Sequence, residues 1–333
     1  MNRFAENAPE YGIALDMGAT HLRFILANDR CEILKEIRDR VLTESGPRGV
    51  SAQICDGIAR LLPPGEGRER FRGIAIGVPS AVDPKTGRIL DANNLPGWRE
   101  VDLGLEIEER FHVPVYVDND ANMAAIGEHW RGVAREVSDF VFIALGTGIG
   151  AGVFVNGQLC RGRTGSAGEI YRMNIDWRQW NEDFAGSGHF EKFVSGMGLA
   201  TEGRKLQTSG NGADGANLTD ERDARFVFDA AGRGDTRAQA LIDRTFEMLG
   251  VGVANLVSVL DPEMVVFNGG LVRGAPDQLL ATVDRVVRRI QPNPPPVRLS
   301  TLGDRAQIWG ALCTLFEPER QHAIRAAEPA GGA

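Results

Sequence analysis

The stretch DFVFIALGTGIGAGVFVNGQLC, residues 139–160, decides the fold. It reads as strand, glycine-rich turn, strand, turn, strand. The chain opens on the same design. IALDMG (13–18) aligns with IALGTG (143–148), and LAND (26–29) aligns with FVNG (154–157), where both pairs of strands turn back. Such an internal duplication predicts two related halves. Each half then offers a glycine turn between strands. Backbone N–H groups in turns of this kind form anion-binding nests, so two facing turns can grip one phosphate chain from both sides.

Outward from the repeat, YGIAL (11–15), LRFILAN and CEILKEI form a predicted strand meander. Residues 47–62 carry helical spacing, with Val50, Ile54, Ile58 and Leu61 on one face. FRGIAIGVP reads as a buried strand, ILDANNLPGW as a loop, LGLEIEERF as a helix, VPVYVD as a strand and ANMAAIGEHWRGVA as a helix. After the repeat, residues 225–260 are helical, and MVVFNGGLV (264–272) is a strand running into a glycine pair. DQLLATVDRVVRRI is an amphipathic helix, VRLSTL a strand and AQIWGALCTLF a closing helix. SGNGADGAN (209–217) reads as a flexible loop and EPAGGA as a disordered end. Strands alternating with helices after a meander give an α/β fold.

The 333 residues suffice for two domains and a sizeable core. Lys+Arg number 37 against 45 Asp+Glu, a net charge of −8, which argues against nucleic acid or a membrane surface as partner. No uncharged apolar run reaches the ~18 residues of a membrane span. The N-terminal MNRFAENAPE has no apolar core of a signal peptide. Cys31, Cys55, Cys160 and Cys313 lie far apart and read as reduced thiols of a cytoplasmic protein.

Three clusters carry chemistry. In Asp16-Met-Gly18-Ala-Thr20 the glycine permits a tight turn, Asp16 is placed to hold Mg²⁺ through water, and Thr20 to donate to a phosphate. A plain hairpin explains the segment equally well until it is paired with Gly146-Thr147-Gly148-Ile-Gly150. Asn268-Gly269-Gly270 ends an apolar strand, where backbone can lie against a flat ring such as adenine, or simply turn into a helix. In Asp118-Asn119-Asp120-Ala-Asn122 a strand ends and a helix begins, the usual ligand position in open α/β sheets. One helix cap explains one of these polar residues but not three, so Asp120 is the candidate base for attack by a hydroxyl on a phosphoryl group. Asn93-Asn94-Leu-Pro-Gly-Trp98 suits a sugar, with an amide for a hydroxyl and a ring for an apolar face, and suits a simple turn as well.

DMGATHLRF, NNLPGW, DNDANMAAIGE, LGTGIGAGVFVNG, GSAGEI and VVFNGGLV, in this order, resemble the ROK family of repressors and sugar kinases over residues 11–316. DMGATHLRF is also similar to the opening of the family's D-allose kinase branch. The resemblance implies the duplicated actin/hexokinase-like (ribonuclease H-like) two-domain α/β fold, with a ligand cleft between the domains. It implies a small N-terminal domain at 1–121, a larger one at 122–305, and a C-terminal helix at about 306–325 packing back on the first. By position, Asp120 matches the family's catalytic aspartate. Asn94, Asn119, Glu169 and Glu191 match sugar-binding positions, Asp16, Gly18, Thr20, Thr147 and Gly148 the phosphate segments, and Gly269 and Gly270 the adenosine segment. ATP and Mg²⁺ are the implied cofactors and a homodimer the implied assembly.

One segment departs from the family. Its structural zinc is held by a His and three Cys spaced His-x9-Cys-x-Cys-x4-Cys. Here those positions are Arg172, Glu182, Phe184 and His189, and neither a guanidinium nor a phenyl ring ligates zinc, so no zinc is expected. Two substitutes are open: an Arg172–Glu182 ion pair with Phe184, Trp177 and Trp180 filling the space, or a mobile loop with Arg172 solvated. The family histidine at this position also touches the sugar, so the resemblance makes Arg172 a candidate contact near C1 and C2. The expected activity is phosphorylation of a hexose at its 6-hydroxyl, glucose or allose first, amino sugars or fructose next. Ten residues precede the first strand, too few for a helix-turn-helix, which places a sugar-sensing regulator and a silent kinase fold behind the enzyme.

Overall fold

The computed structural model describes residues 9–62, 69–92, 95, 97–183, 188–208 and 224–317. Asn93, Asn94 and Phe184 lie outside them.

Two five-stranded sheets repeat one topology. The first is built from β1 (Tyr11–Met17), β2 (His21–Asn28), β3 (Ile33–Arg40), β4 (Phe71–Val78) and β8 (Val115–Asn119), in the order β3-β2-β1-β4-β8. The second uses β9 (Phe140–Leu145), β10 (Ile149–Val155), β11 (Gln158–Leu159), β12 (Met264–Asn268) and β13 (Val297–Leu299), in the order β11-β10-β9-β12-β13. In each sheet the three-strand meander is antiparallel and the last two strands run parallel to the meander's first. The turns differ in detail: Gly18 N–H donates to the His21 carbonyl at 2.9 Å, whereas Gly146, at the position equivalent to Asp16, donates to the Gly148 carbonyl at 3.0 Å. The duplication read from two short sequence matches is therefore a duplication of topology. The segment read as the loop ILDANNLPGW instead begins as a short strand, β6 (Ile89–Asp91), and runs into another, β7 (Arg99–Val101); with β5 (Ala81–Val82) they form a small third sheet.

Strand alternation sorts the side chains between layers. Ile13, Leu15 and Met17 face one core, which they share with helix α1 (Gly46–Ala59) and its Val50, Ile54 and Ile58. Ala14, Ala27 and Ala75, from the opposite face, meet a different core made with Phe140, Phe142 and Phe154 of the second sheet. Between the two sheets lie helix α3 (Asp120–Arg131) and the closing helix α10 (Ala306–Phe316). Small residues make that fit possible. A Cβ on Gly127 would overlap the Ala306 carbonyl, and one on Gly310 would overlap the Met123 carbonyl, so the two helices touch backbone to backbone. The outer face of the second sheet is covered by α7 (Thr236–Leu260) and α9 (Pro276–Ile290), through Phe246, Leu249, Val253, Val283 and Val287. Helix α2 (Leu103–Phe111) covers the first sheet beside β8.

Candidate active site

Both glycine turns, the end of β8 and the end of β12 open on one cleft of about 930 Å³. That is ample for a sugar and a nucleotide, since ligand sites run to roughly 300–1,000 Å³.

Helix α3 brings Asp120 into this cleft. The Asn119 side-chain oxygen caps the helix, accepting from Ala121 N–H at 2.8 Å and Asn122 N–H at 3.2 Å. Its amide nitrogen donates to the Ser80 carbonyl at 3.2 Å. Asn122 is buried, and its amide donates to Asp118 Oδ1 at 2.8 Å. Three polar residues that looked like ligand groups therefore divide: Asn119 caps while lining the cleft, Asn122 is structural, and Asp120 faces the cleft. At its other end the helix is tied down by Glu128, fully buried, which accepts from Val133 N–H at 2.9 Å and from the Ser300 hydroxyl. Ser300 in turn accepts from Gly303 N–H at 3.1 Å, in a turn that lines the same cleft.

Six carboxylates line it, Asp16, Asp91, Asp120, Glu169, Glu191 and Asp304, and burial shifts four of them. Burial pushes the Asp120 carboxyl up to about 7, with the nearby charges of Asp16 and Glu169 adding to the rise. Burial also raises Asp16 to about 6, against the pull of Arg23. Glu169 is raised by burial and lowered by Arg172. Glu191 is raised by burial too, although its Oε2 accepts from Ile149 N–H at 2.9 Å and fills the space a side chain at Gly148 would need. Burial favours the protonated forms of Asp16 and Asp120, so ionising both together calls for a nearby cation. The donor set fits Mg²⁺ held by Asp16 through water, with Gln307, its amide nitrogen turned toward Asp16, fixing the carboxylate.

The side of the cleft at the end of β12 is shaped by backbone. Gly269, at φ 123°, lies so close to Leu145 that a Cβ would overlap its carbonyl. Asn268 Nδ2 donates to the Gly303 carbonyl at 2.7 Å, which joins the β12 turn to the α10 turn. Gly18, Thr20, Thr147, Gly148, Gly269 and Gly270 all line the cleft, as their motifs imply. Arg23 and Gln307 were not singled out in the sequence. Arg23 is buried and pairs with Glu36 at 3.0 Å and Asp304 at 3.8 Å, steadying charge next to Asp16. Its one signal was a cation inside the apolar strand run LRFIL.

Two sequence readings are corrected. Trp98 is only 2 % exposed and packs in the core with Leu95 and Leu103, so its ring is not open to a sugar face. Arg172 does not pair with Glu182. Its guanidinium lies 5.0 Å from the Tyr171 ring centroid and donates to the Tyr171 hydroxyl at 2.7 Å, while Glu182 approaches Lys192 at 3.9 Å. Arg172 is exposed and outside the cleft lining; its backbone N–H donates to the Glu169 carbonyl at 3.3 Å, and its charge lowers the Glu169 carboxyl. Trp177 and Trp180 are 78 % and 77 % exposed, so they fill no space left by a metal. His189 is buried against Phe193, with ring centroids 4.9 Å apart. Among the described residues no three His, Cys, Asp or Glu side chains gather to hold a metal.

The model of the ROK family matches residues 12–317. This chain belongs to the ROK family. A glucokinase of Halalkalibacterium halodurans is 30 % identical over 312 residues, covering 90 % of this chain and 92 % of that protein. A putative xylose repressor of Caldicellulosiruptor is 32 % identical over 316 residues, covering 91 % and 77 %. The ROK hexokinase structure from Thermus thermophilus superposes with a TM-score of 0.76 at 26 % identity, covering 93 % of this chain and 99 % of that one. A Streptomyces griseus ROK glucokinase, solved with glucose and AMPPNP, gives 0.76 at 25 % identity, covering 92 % and 99 %. The ROK chain described here therefore has the two-domain actin-like ATPase-type fold of these kinases. No described helix is long and apolar enough to cross a membrane.

Proposed function

We propose that this ROK protein is an ATP-dependent hexose kinase. The observation that carries the reading is Asp120, a half-buried carboxylate raised to about 7, in the cleft that both glycine turns enter. A general base works best with a pKa near the working pH. In this reading residues 1–121 and 122–305 form the two lobes, and the hexose sits between Asn119, Asp120, Glu169 and Glu191. Asp120 takes the proton of the 6-hydroxyl as its oxygen attacks the γ-phosphorus in line, and ADP leaves. Phosphoryl transfer asks little covalent chemistry of the protein; positioning and charge stabilisation do most of the work. The turns at Gly18–Thr20 and Thr147–Gly148 border the phosphates in this reading. Mg²⁺, when bound, offsets the charge spreading over the phosphoryl oxygens. Lobe closure keeps water from competing as acceptor.

Glucose and allose are the favoured substrates, with N-acetylmannosamine, N-acetylglucosamine and fructose as alternatives. The test is ADP release with ATP and Mg²⁺ across this panel, on protein of measured metal content. One hexose should turn over at a zinc content far below one per chain; stoichiometric zinc would overturn the zinc-free account of the Arg172 segment. A sugar-responsive regulator is the second reading, favoured by the xylose repressor relative. It predicts sugar binding by calorimetry and no ADP release.

The pH profile provides a separate check. Asp120 must be ionised to accept a proton, so kcat/KM should rise with pH through about 7 and then level. Asp16 and Asp120 are coupled, so the profile reports the pair. Stability should move the other way. The unfolded carboxylates release protons near 3.8 and the folded ones near 6 and 7. Their contribution is therefore full below about 4 and is lost as pH rises through that window. A flat activity profile from pH 5 to 8 would remove Asp120 from the proton transfer.

A further inference from the structure

Two residues before Asp120 sits a carboxylate that the mechanism does not use. Asp118, near the end of β8, is buried, and both of its oxygens are fully occupied. Oδ1 accepts from Asn119 N–H at 2.7 Å and from Asn122 Nδ2 at 2.8 Å. Oδ2 accepts from Arg161 Nε at 2.9 Å and from its Nη2 at 2.6 Å. The Asp118 and Arg161 side chains are 10 % and 11 % exposed. No other arginine–carboxylate pair among the described residues has both side chains so deeply buried.

The pair crosses the molecule. Asp118 belongs to the first sheet, whereas Arg161 directly follows β11 of the second and opens the loop that leads to Glu169. That loop is closed on itself, with Ala167 N–H donating to the Arg161 carbonyl at 3.0 Å. Its middle is pressed onto the first half: Gly165, at φ 74°, lies where a Cβ would overlap the Val82 carbonyl of β5. Its end is fixed by Ala151 N–H, which donates to the Gly168 carbonyl at 3.1 Å. Two of the loop's three anchors, Asp118 and Val82, thus belong to the half that carries Asn119 and Asp120.

We infer that the Asp118–Arg161 ion pair is a positioning device that fixes Glu169 relative to Asp120 and so sets hexose affinity. The inference rests on the hexose-kinase reading of the cleft. By sequence Glu169 lies in the second half, but mechanically it travels with the strand end that presents the base. The hexose side of the cleft is then built before the lobes close, and the nucleotide turns at Gly146–Gly150 and Gly269–Gly270 complete it from the other side. Neither Asp118 nor Arg161 lines the cleft, so both act through other residues. Two N–H groups of one planar guanidinium, both donating to Oδ2, hold angle as well as distance, which a single ammonium does not.

The test compares wild type with Arg161→Met and Arg161→Lys. Hydrogen exchange on the unliganded protein should show the amides of residues 162–169 exchanging about tenfold faster in Arg161→Met, with α7 unchanged. The hexose KM should rise about tenfold or more, while the ATP KM stays within about twofold. Arg161→Lys keeps the charge and loses the planar guanidinium, and should fall between the two on both measures. It also carries the comparison if the Met variant does not fold. Unchanged exchange in the loop would overturn the inference, as would equal changes in the two KM values. If wild type binds hexose but phosphorylates none, the kinase reading fails on its own. The exchange data and the calorimetric hexose affinity of the variants then decide the ion pair.

Discussion

Asp120→Asn should lower kcat by about 10²–10⁴-fold, the usual scale of a lost general base, and leave hexose affinity close to wild type. The amide keeps the shape of the carboxylate and its bond from Ala121 N–H, which is 2.7 Å in the native protein. It cannot accept the hydroxyl proton. That proton moves only in the transition state, so the loss should appear in kcat and not in KM. A second consequence separates chemistry from structure. The native carboxylate is ionised at pH 8 against burial and against the charge of Asp16. Removing that charge should raise the melting temperature at pH 8 and change it little at pH 5, where the group is already protonated. Near-normal turnover in the variant would exclude Asp120 as the base. Loss of hexose binding would assign it to substrate affinity instead.

Gly310→Ala should destabilise the fold by about 3 kcal/mol, near the upper end of what overpacking costs. Two effects compete. Alanine gains up to ~1 kcal/mol of helix propensity over glycine. Against it, the new methyl would overlap the Met123 carbonyl of α3, a backbone atom that no rotamer change can move. The steric term wins, and α10 must shift away from α3. At roughly 2–4 °C per kcal/mol for a chain of this size class, the melting temperature should fall by about 6 °C or more. Because α3 carries Asp120 at its first turn, part of the activity should go with it. Gly232→Ala is the control, since nothing lies within 4 Å of a Cβ there. It should be neutral or slightly stabilising. Equal melting temperatures for Gly310→Ala and wild type would mean that the two helices do not meet as described.

Both predictions concern features that the sequence announced to different degrees. The glycine turns, the strand end at Asp120 and the repeat itself were legible because each is local. Alternation every second residue marks a strand, a glycine after an apolar run marks a turn, and two such patterns in one chain mark a duplication. The close crossing at Gly127 and Gly310 was not legible, since neither glycine sits at a turn. Each lies in a helix, where glycine is ordinarily a cost, and its reason is a partner backbone about half the chain away.

The candidate site divides along the same line. Asp16, Asp120, Glu169, Glu191 and the glycines of three turns were placed in one cleft by motif order, and the fold puts them there. The Asn94 position lies outside the described residues. What tertiary structure alone decided is the partner of each polar group. Trp98 looked like a sugar platform and is core, because the turn that carries it folds against Leu103. Arg172 looked like half of an ion pair with Glu182, but its own neighbour Tyr171 was nearer to hand. Asp118 carried no reading of its own within its polar run, and its mate proved to be Arg161, across the boundary between the two sheets. Local pattern fixes which backbone a residue sits on and which way the strand or helix turns it. A charged or aromatic side chain finds its partner only once distant elements pack, because the cost of leaving it buried and unpaired is settled by whichever group packing brings within hydrogen-bond reach.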